Sequence, residues 1–369
     1  YELVSRDWSS DVCSSDLYYS VIGGWVVKYL FEYIRGNGSK LAEDGYFSGF
    51  ISSGGATEIC FVIFCMFTLV IIYAGVQNGI ERVSKIMMPI LIVLSVIIAI
   101  YSVTRPGAIE GVKYFLVPNV KNFSWMTVVA AMGQMFYSLS IAMGILVTFG
   151  SYMRKDTSIE DSTRNVEIFD TAIAMMAGLM IIPAVFAFSG GDPDTLQAGP
   201  SLMFITIPKV FANMGFGTAV GILFFVLVLF AAVTSSIALT ESAVSTFEDE
   251  LGWGRKKATV LTGVIMITLG TLSCLGYGPL DFVKIIGMQF LDFFDFLTNS
   301  VMMPIAALMT SLLVSRVIGV EKIEEEIRHG ESTFRRKKIF VVMIKYLCPI
   351  FALIILASSV ANAFGWIAM

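Results

Sequence analysis

The chain has 369 residues, of which 56% are hydrophobic and 15% are charged, and its formal net charge at pH 7 is -4. This composition excludes a soluble globular domain, indicates a polytopic membrane protein, and gives no sign of a nucleic-acid partner. The one histidine, His329, lies in a charged stretch, so a histidine-based catalytic centre within the membrane is excluded. The five cysteines show neither metal-ligand spacing nor a disulfide framework.

The first sixteen residues differ in character from the rest of the chain. They are polar, contain a near-repeat of Ser-Ser-Asp, and lack the basic start and apolar run of a signal peptide. An apolar segment then begins abruptly at Leu17. We interpret 1–16 as a foreign or mis-assembled leader, with a short native tail as the alternative, and 17–369 as one transmembrane domain.

Nine hydrophobic segments follow, and each is expected to be a helix, so the predicted fold class is all-α. The segments are 17–34, 57–76, 86–104, 125–149, 168–189, 216–246, 258–276, 282–315 and 339–368. The longer ones exceed the hydrocarbon thickness and must tilt, kink or project. The outside loop 190–215 also carries a mildly amphipathic run, Ser201–Met214, which predicts short helices over that face, either as a lid or as a simple loop helix.

Orientation follows from the basic residues of the loops. The loops 77–85, 150–167, 247–257 and 316–338 together carry 15 Lys and Arg residues, against 7 in the alternate loops. The richer set is assigned to the cytoplasm. Leu17 is therefore expected inside and the C-terminus, Met369, outside.

The segment 125–149 has apolar ends and a polar centre. The centre contains small and polar residues in place of lipid-facing ones: Gly133, Gln134, Tyr137, Ser138, Ser140 and Gly144. Unpartnered polar groups in lipid cost several kcal/mol, so a broken helix lining a cavity is one interpretation. A close helix–helix contact through small and hydroxyl residues is the other.

Three more polar features lie in apolar segments. Asp292 and Asp295 lie on one helical face near the outer end of 282–315. They form either an extracellular gate or ion relay, or a pair of interfacial carboxylates that remain in water. Asp170 either offsets the positive end of the helix dipole at the start of 168–189 or lies deeper in the membrane, beside a cation. The run Ala231–Ser236 offers hard oxygen ligands for an alkali cation, although helix packing also explains its small residues.

Several strings together resemble the neurotransmitter:sodium symporters, and among them the bacterial, leucine-transporter-like members that carry hydrophobic amino acids. The strings begin at Tyr18-Tyr19, Gly24-Trp25, Gly79-Ile-Glu-Arg, Gly133-Gln-Met-Phe-Tyr-Ser, Ser151-Tyr-Met-Arg, Val233-Thr-Ser-Ser, Phe247-Glu-Asp-Glu and Leu291-Asp-Phe-Phe-Asp. The resemblance implies two inverted five-helix repeats with unwound first and sixth helices. The nine segments resemble helices three to eleven, so an N-terminally truncated chain is expected.

The resemblance also implies roles for individual residues. Ser138 and Asp170 correspond to ligands of a first sodium site. Ala231 (through its carbonyl), Thr234 and Ser235 correspond to a second. The substrate-binding residues implied are Tyr19, Tyr137, Ser138, Ser140, Met143, Ser235 and Leu239, with Tyr19 on the substrate carboxylate and Tyr137 as a lid.

Gate residues follow from the same resemblance. Asp295 corresponds to the outer gate, and Ser151, Tyr152 and Asp249 correspond to the cytoplasmic gate. The arginine partners of both gates belong to the family's first helix, so each gate is expected to be incomplete in this chain.

The function implied is sodium-coupled symport of amino acids in a prokaryotic cytoplasmic membrane. The residues Ala142 and Met143 predict a pocket tolerant of large hydrophobic side chains. Ala174 cannot donate a hydrogen bond to chloride, and Asp170 brings fixed negative charge, so transport is predicted to be chloride-independent with no organic cofactor. The alternatives are a proton-coupled or exchanging transporter of the same architecture, or a non-transporting amino-acid sensor. An enzyme is not expected.

Overall fold

The computed structural model describes residues 2–119, 123–192, 199–330 and 334–366, and the side chains of residues 2–17 lie outside this description. Helices dominate these ranges, and they contain no strand beyond an isolated bridge between Ile285 and Met288. The all-α prediction is therefore confirmed.

The α-helices of the described residues are, in chain order, α1 (Glu2–Ile34), α2 (Gly38–Leu41), α3 (Tyr46–Ser52), α4 (Gly55–Tyr73), α5 (Arg82–Val103), α6 (Ala108–Leu116), α7 (Trp125–Ser138), α8 (Ile145–Ser151), α9 (Ile159–Ser189), α10 (Ile207–Ala212), α11 (Gly217–Leu251), α12 (Arg255–Leu275), α13 (Phe290–Asp295), α14 (Met303–Leu312), α15 (Val320–Gly330), α16 (Lys337–Val342) and α17 (Cys348–Ala363). Wider π-helical turns join or precede several of them, at Val76–Glu81, Leu202–Thr206, Phe296–Met302, Leu313–Ile318 and Met343–Leu347.

Seven helical stretches of the described residues are long and apolar enough to cross a membrane. They are Gly55–Tyr73, Val76–Val103, Ile159–Ser189, Gly217–Leu251, Arg255–Leu275, Phe290–Ile318 and Lys337–Ala363. The predicted span 17–34 lies within α1, which continues through the boundary at Leu17 as one helix. The predicted span 125–149 is divided into α7 and α8.

Two helices begin at residues other than the first of the corresponding hydrophobic segment. Helix α9 begins at Ile159 instead of 168, because Ser158 caps it by accepting a 3.0 Å hydrogen bond from the Asp161 amide, and acidic residues occupy its first turn. Hydropathy misses this polar turn. The segment 282–315 becomes helical only at Phe290, because positive φ angles at Ile286 and Gly287 turn the chain beforehand.

A buried aromatic cluster joins α1 to the short helices around Phe204. Helix α1 packs on α4, α11 and α12, and Tyr29 on α1 donates a 2.8 Å hydrogen bond to the Phe204 carbonyl. The ring of Trp25 packs edge-on against Phe204, and the ring of Phe225 packs at a tilt against Tyr29. The short helices predicted within Ser201–Met214 are present as Leu202–Thr206 and α10, and this bond fastens them to α1.

Candidate functional site

The break between α7 and α8 is the centre of the candidate site. Helix α7 ends at Ser138, and the backbone then visits the left-handed region at Ser140 (φ 53°), Ala142 (φ 64°) and Gly144 (φ 75°). The left-handed conformation costs a residue other than glycine about 1–2 kcal/mol, so the surrounding structure must hold this turn in place. The broken-helix interpretation of this segment is the correct one.

The break leaves backbone carbonyls without helical partners. The amide of Ser140 bonds to the Tyr137 carbonyl at 3.0 Å, and that of Ile141 to the Phe136 carbonyl at 3.1 Å. Within the described backbone, no amide bonds to the carbonyls of Leu139 or Ala142. Such oxygens, at the negative end of the α7 dipole, attract cations.

A hydroxyl and a carboxylate meet at this end of α7. The Ser138 Oγ donates a hydrogen bond of 2.7 Å to Asp170 Oδ1 on α9. Because α9 begins at Ile159, Asp170 lies three turns inside the helix, roughly 16 Å from its start at 1.5 Å per residue. The deeper of the two placements considered for Asp170 is therefore correct. A carboxylate beside a helix C-terminus is unfavourable, because the end of the helix dipole is also negative, unless a cation offsets both charges.

A second group of oxygens faces the break from α11. Thr234 Oγ1 donates a bifurcated hydrogen bond to the carbonyls of Phe230 and Ala231, each at 3.0 Å. Thr234 and Ser235 both line the cavity. The neighbouring residues Val233 and Ser236 are instead buried against the bundle. Ala231 does not line the cavity, and its carbonyl already accepts from Thr234.

The break and α11 enclose a cavity of about 320 Å³. All seven predicted substrate-binding residues line it: Tyr19, Tyr137, Ser138, Ser140, Met143, Ser235 and Leu239. Sequence reasoning did not identify five other lining residues, which are Tyr18, Met88, Ile145, Thr234 (as a lining residue) and Ala238. The wall combines apolar side chains, including the buried Met143 and Leu239, with hydroxyl-bearing ones.

A larger cleft of about 410 Å³ lies against the same break. Its wall is mostly apolar and comes from α7, the break, α8, α14, Met343–Leu347 and α17, and only Ser140 lines both spaces. Since the titratable and hydroxyl groups converge on the smaller cavity, that cavity is the candidate site.

A hydrogen-bonded layer lies beside the cavity on the side of α13. Asn299 Nδ2 donates to Asp295 Oδ1 at 2.6 Å and to the Tyr18 hydroxyl at 2.8 Å, and Tyr18 also contacts Tyr137. Asp292 accepts a separate 2.8 Å bond from the Tyr277 hydroxyl. The two carboxylates therefore have different partners, and only Asp295 is connected, through Asn299, to the cavity-lining Tyr18.

A second layer lies at the opposite side, around Glu241. Arg255 donates to both oxygens of this fully buried carboxylate, at 2.9 and 2.5 Å, and the Tyr152 hydroxyl donates to Oε1 at 2.7 Å. The predicted gate residue Tyr152 thus has a partner that sequence reasoning missed. An acidic residue inside the apolar run 216–246 was the available signal for Glu241.

The other two predicted gate residues lie outside this network. Ser151 Oγ donates to the Thr148 carbonyl within its own turn at 2.7 Å. Asp249 is exposed near the end of α11, and its side chain forms no ion pair within the described part of the chain.

This architecture defines a class of protein. Multiple membrane-spanning helices surround a helix broken within the bundle, oxygens of the kind that cations prefer and a solute-sized cavity lie at the break, and polar layers flank it on two sides. These are the features of an ion-coupled membrane transporter.

Comparison with known proteins identifies the family. The family model described as the sodium:neurotransmitter symporter family matches residues 45–365. The chain belongs to this family, so it is a sodium-dependent transporter and not an enzyme. The recognition made from the sequence strings is confirmed.

Individual relatives agree with this assignment. The chain is 36% identical to the uncharacterized sodium-dependent transporter YhdH of Bacillus subtilis over 318 residues, covering 85% of this chain and 70% of that one. It is 32% identical to an uncharacterized sodium-dependent transporter of Haemophilus influenzae, and the match covers 93% of this chain and 75% of that one. Its structure resembles the crystal structure of MhsT in complex with L-phenylalanine, with a TM-score of 0.83 and 34% sequence identity. The match covers 97% of this chain and 81% of that one.

Proposed function

We propose that this chain transports amino acids with large hydrophobic side chains, coupled to sodium and independent of chloride. The observation that carries this proposal is the composition of the cavity wall. Its hydroxyls suit the charged ends of an amino acid, and its buried Met143 and Leu239 suit an apolar side chain. The similar protein MhsT was crystallised with L-phenylalanine, which has such a side chain.

Two groups of oxygens support sodium as the coupling ion. Ser138 and Asp170 meet at the C-terminal end of α7, where the helix dipole and the carboxylate both favour a cation. Thr234 and Ser235 present further hydroxyl oxygens, which are ligands that hard cations prefer. Both groups border the cavity, so solute and cation would stabilise one another when bound.

Charge balance supports independence from chloride. Asp170 supplies a fixed negative charge beside the proposed sodium site, and Ala174, one turn further along α9, has only a methyl group. A chloride ion there would meet a like charge and no hydrogen-bond donor from position 174.

The two polar layers support alternating access. The layer of Asp295, Asn299 and Tyr18 lies at one side of the cavity, and that of Glu241, Arg255 and Tyr152 lies at the other. We assign Asp295 to the outer gate and Tyr152, with Ser151 and Asp249, to the cytoplasmic one. Opening one layer at a time would expose the cavity to each side in turn.

The same reasoning gives a location. The bacterial relatives support a prokaryotic cytoplasmic membrane, and the excess of basic residues in alternate loops supports an orientation with the C-terminus outside. In this orientation the layer of Glu241 faces the cytoplasm.

Uptake by proteoliposomes tests the proposal. With an inward sodium gradient, the reconstituted chain is expected to accumulate radiolabelled L-phenylalanine, and replacing chloride by gluconate is expected to leave the rate unchanged. Replacing sodium by choline is expected to abolish uptake. Sodium-independent uptake driven by a proton gradient would favour the proton-coupled alternative, and saturable binding without uptake would favour a sensor.

A further inference from the structure

Basic side chains surround the connection between the last two long helical stretches, and several are neutralised within the protein. Arg336 pairs with Glu167 at 3.0 Å, and Lys337 and Arg328 pair with Glu324 at 2.5 and 2.7 Å. These ion pairs connect α9, α15 and the start of α16.

Other cations in this region have no such partner, and three of them lie on or beside the last two membrane-spanning stretches. Arg316, Lys338 and Lys345 are exposed, and none forms an ion pair or side-chain hydrogen bond with another described residue. Lys345 is the most unusual, because it lies within the apolar stretch Lys337–Ala363. A cation at such a depth is costly unless it reaches the interface or meets an anion.

The surface around these cations is apolar and directed away from the bundle. Lys338 and Lys345 are seven residues apart, on two consecutive helical segments of which the second is π-helical. Ile339 and Tyr346, which follow them, are 65% and 63% exposed. Val317, beside Arg316, is 75% exposed. This face has the composition expected of a surface in contact with lipid.

The helical segments that carry Arg316 and Lys345 contact each other. Leu313–Ile318 ends one membrane-spanning stretch, Met343–Leu347 lies near the start of the next, and the two segments pack side by side. Both are π-helical. Arg316 and Lys345 therefore lie on two neighbouring helical segments, at the end of the bundle assigned to the cytoplasm.

We propose that Arg316 and Lys345, assisted by Lys338, bind the phosphate of an anionic phospholipid in the adjoining leaflet. Basic side chains placed between helices at this depth attract acidic lipid headgroups, and Arg pairs well with phosphate oxygens. The acyl chains lie along Ile339, Val342 and Tyr346. This site is separate from the solute cavity and does not depend on the transport function.

Lipid retention during native mass spectrometry tests the proposal on the full chain. The purified protein is equilibrated with an equal mixture of phosphatidylglycerol and phosphatidylcholine in detergent. The wild-type chain is expected to retain phosphatidylglycerol preferentially. Each cation contributes about a five-fold preference, so the double variant Arg316→Gln, Lys345→Gln is expected to lose roughly 25-fold.

A matched control separates a site from a general charge effect. Lys256→Gln with Lys257→Gln removes two exposed cations at the start of α12 and is expected to leave retention unchanged. Equal loss in this control, or wild-type retention in the first double variant, would overturn the proposal.

Two further measurements guard against misfolding and identify the source of the phosphate. The charge-conserving double variant Arg316→Lys, Lys345→Arg is expected to retain most of the lipid preference, and loss of the preference in a folded sample of this variant would contradict a site based on charge. Excess inorganic phosphate is expected to leave the lipid bound. Complete displacement by inorganic phosphate would assign these basic residues to a soluble anion and overturn the lipid assignment.

Discussion

Ser138, the last residue of α7, donates a 2.7 Å hydrogen bond to Asp170, three turns into α9. The bond joins the end of a broken helix to a carboxylate that has no cationic side chain paired with it in the described residues. The helix dipole adds further negative potential at the same place. This pairing supports a bound cation more strongly than any other contact at the break.

Neutralising this carboxylate should change the ion dependence. In Asp170→Asn, the proposed sodium site loses its charged ligand, and we expect about a ten-fold higher sodium concentration for half-maximal uptake, together with a gain in chloride dependence. Uptake measured across a sodium series, with chloride or gluconate, gives both quantities.

The control for this prediction is Asp161→Asn. This residue lies in the first turn of the same helix, half-exposed and paired with Arg164 at 3.1 Å. Its replacement is expected to leave both ion dependences unchanged. Unaltered transport by Asp170→Asn in chloride-free medium would reject the role of the Asp170 carboxylate.

The size of the apolar wall should set the substrate preference. Leu239 is buried in the cavity wall, and Leu239→Phe narrows that wall. We expect the ratio of uptake for phenylalanine over alanine to fall at least ten-fold, since one or two methylene-sized changes in a pocket are worth about 10–200-fold in discrimination. Leu223→Phe, at a half-exposed position on the same helix, is expected to leave the ratio unchanged. A ratio that moves equally in both variants would show that Leu239 does not line the substrate pocket.

The buried ion pair should contribute strongly to stability. Arg255→Met leaves the Glu241 carboxylate buried with only the Tyr152 hydroxyl, and we expect a loss of about 3–5 kcal/mol in the free energy of unfolding. Arg154→Met breaks an exposed pair with Asp156 and is expected to cost less than about 1 kcal/mol. Thermal unfolding in detergent compares the two. Equal effects would contradict the assignment of Glu241 as a desolvated anion.

Acidification should loosen α15. The hydrogen bond from Lys337 lowers the pKa of Glu324 below its ordinary value of 4.5. For a lowered carboxyl pKa, the stabilisation is complete above the unfolded value and is lost as pH falls through the folded value. We therefore expect hydrogen exchange in α15 to show undiminished protection down to about pH 4.5 and faster opening below it. Glu324→Gln should remove this pH dependence, and a persistent dependence would point to another carboxylate.

The sequence alone allows most residues of the candidate cavity to be named, but it locates the ends of the helices less well. The break at the centre of 125–149 is foreseeable because small and hydroxyl residues replace lipid-facing ones there, and the hydroxyls of Thr234 and Ser235 are foreseeable for the same reason. The start of α9 at Ile159 is not, because a capped polar turn lowers hydropathy without ending a helix. The sequence does not show that Arg255 pairs with Glu241 or that Asn299 bonds to Tyr18, because these contacts depend on how the helices pack.

Equilibrium binding of radiolabelled L-phenylalanine to the purified chain tests the central claim most directly. The claim is that the broken helix and α11 together hold a sodium ion and an amino acid in one cavity. We expect saturable binding in sodium, at least ten-fold weaker binding in choline, and loss of this difference in Thr234→Ala, Ser235→Ala. Equal binding in sodium and in choline, unaltered by that double variant, would contradict it.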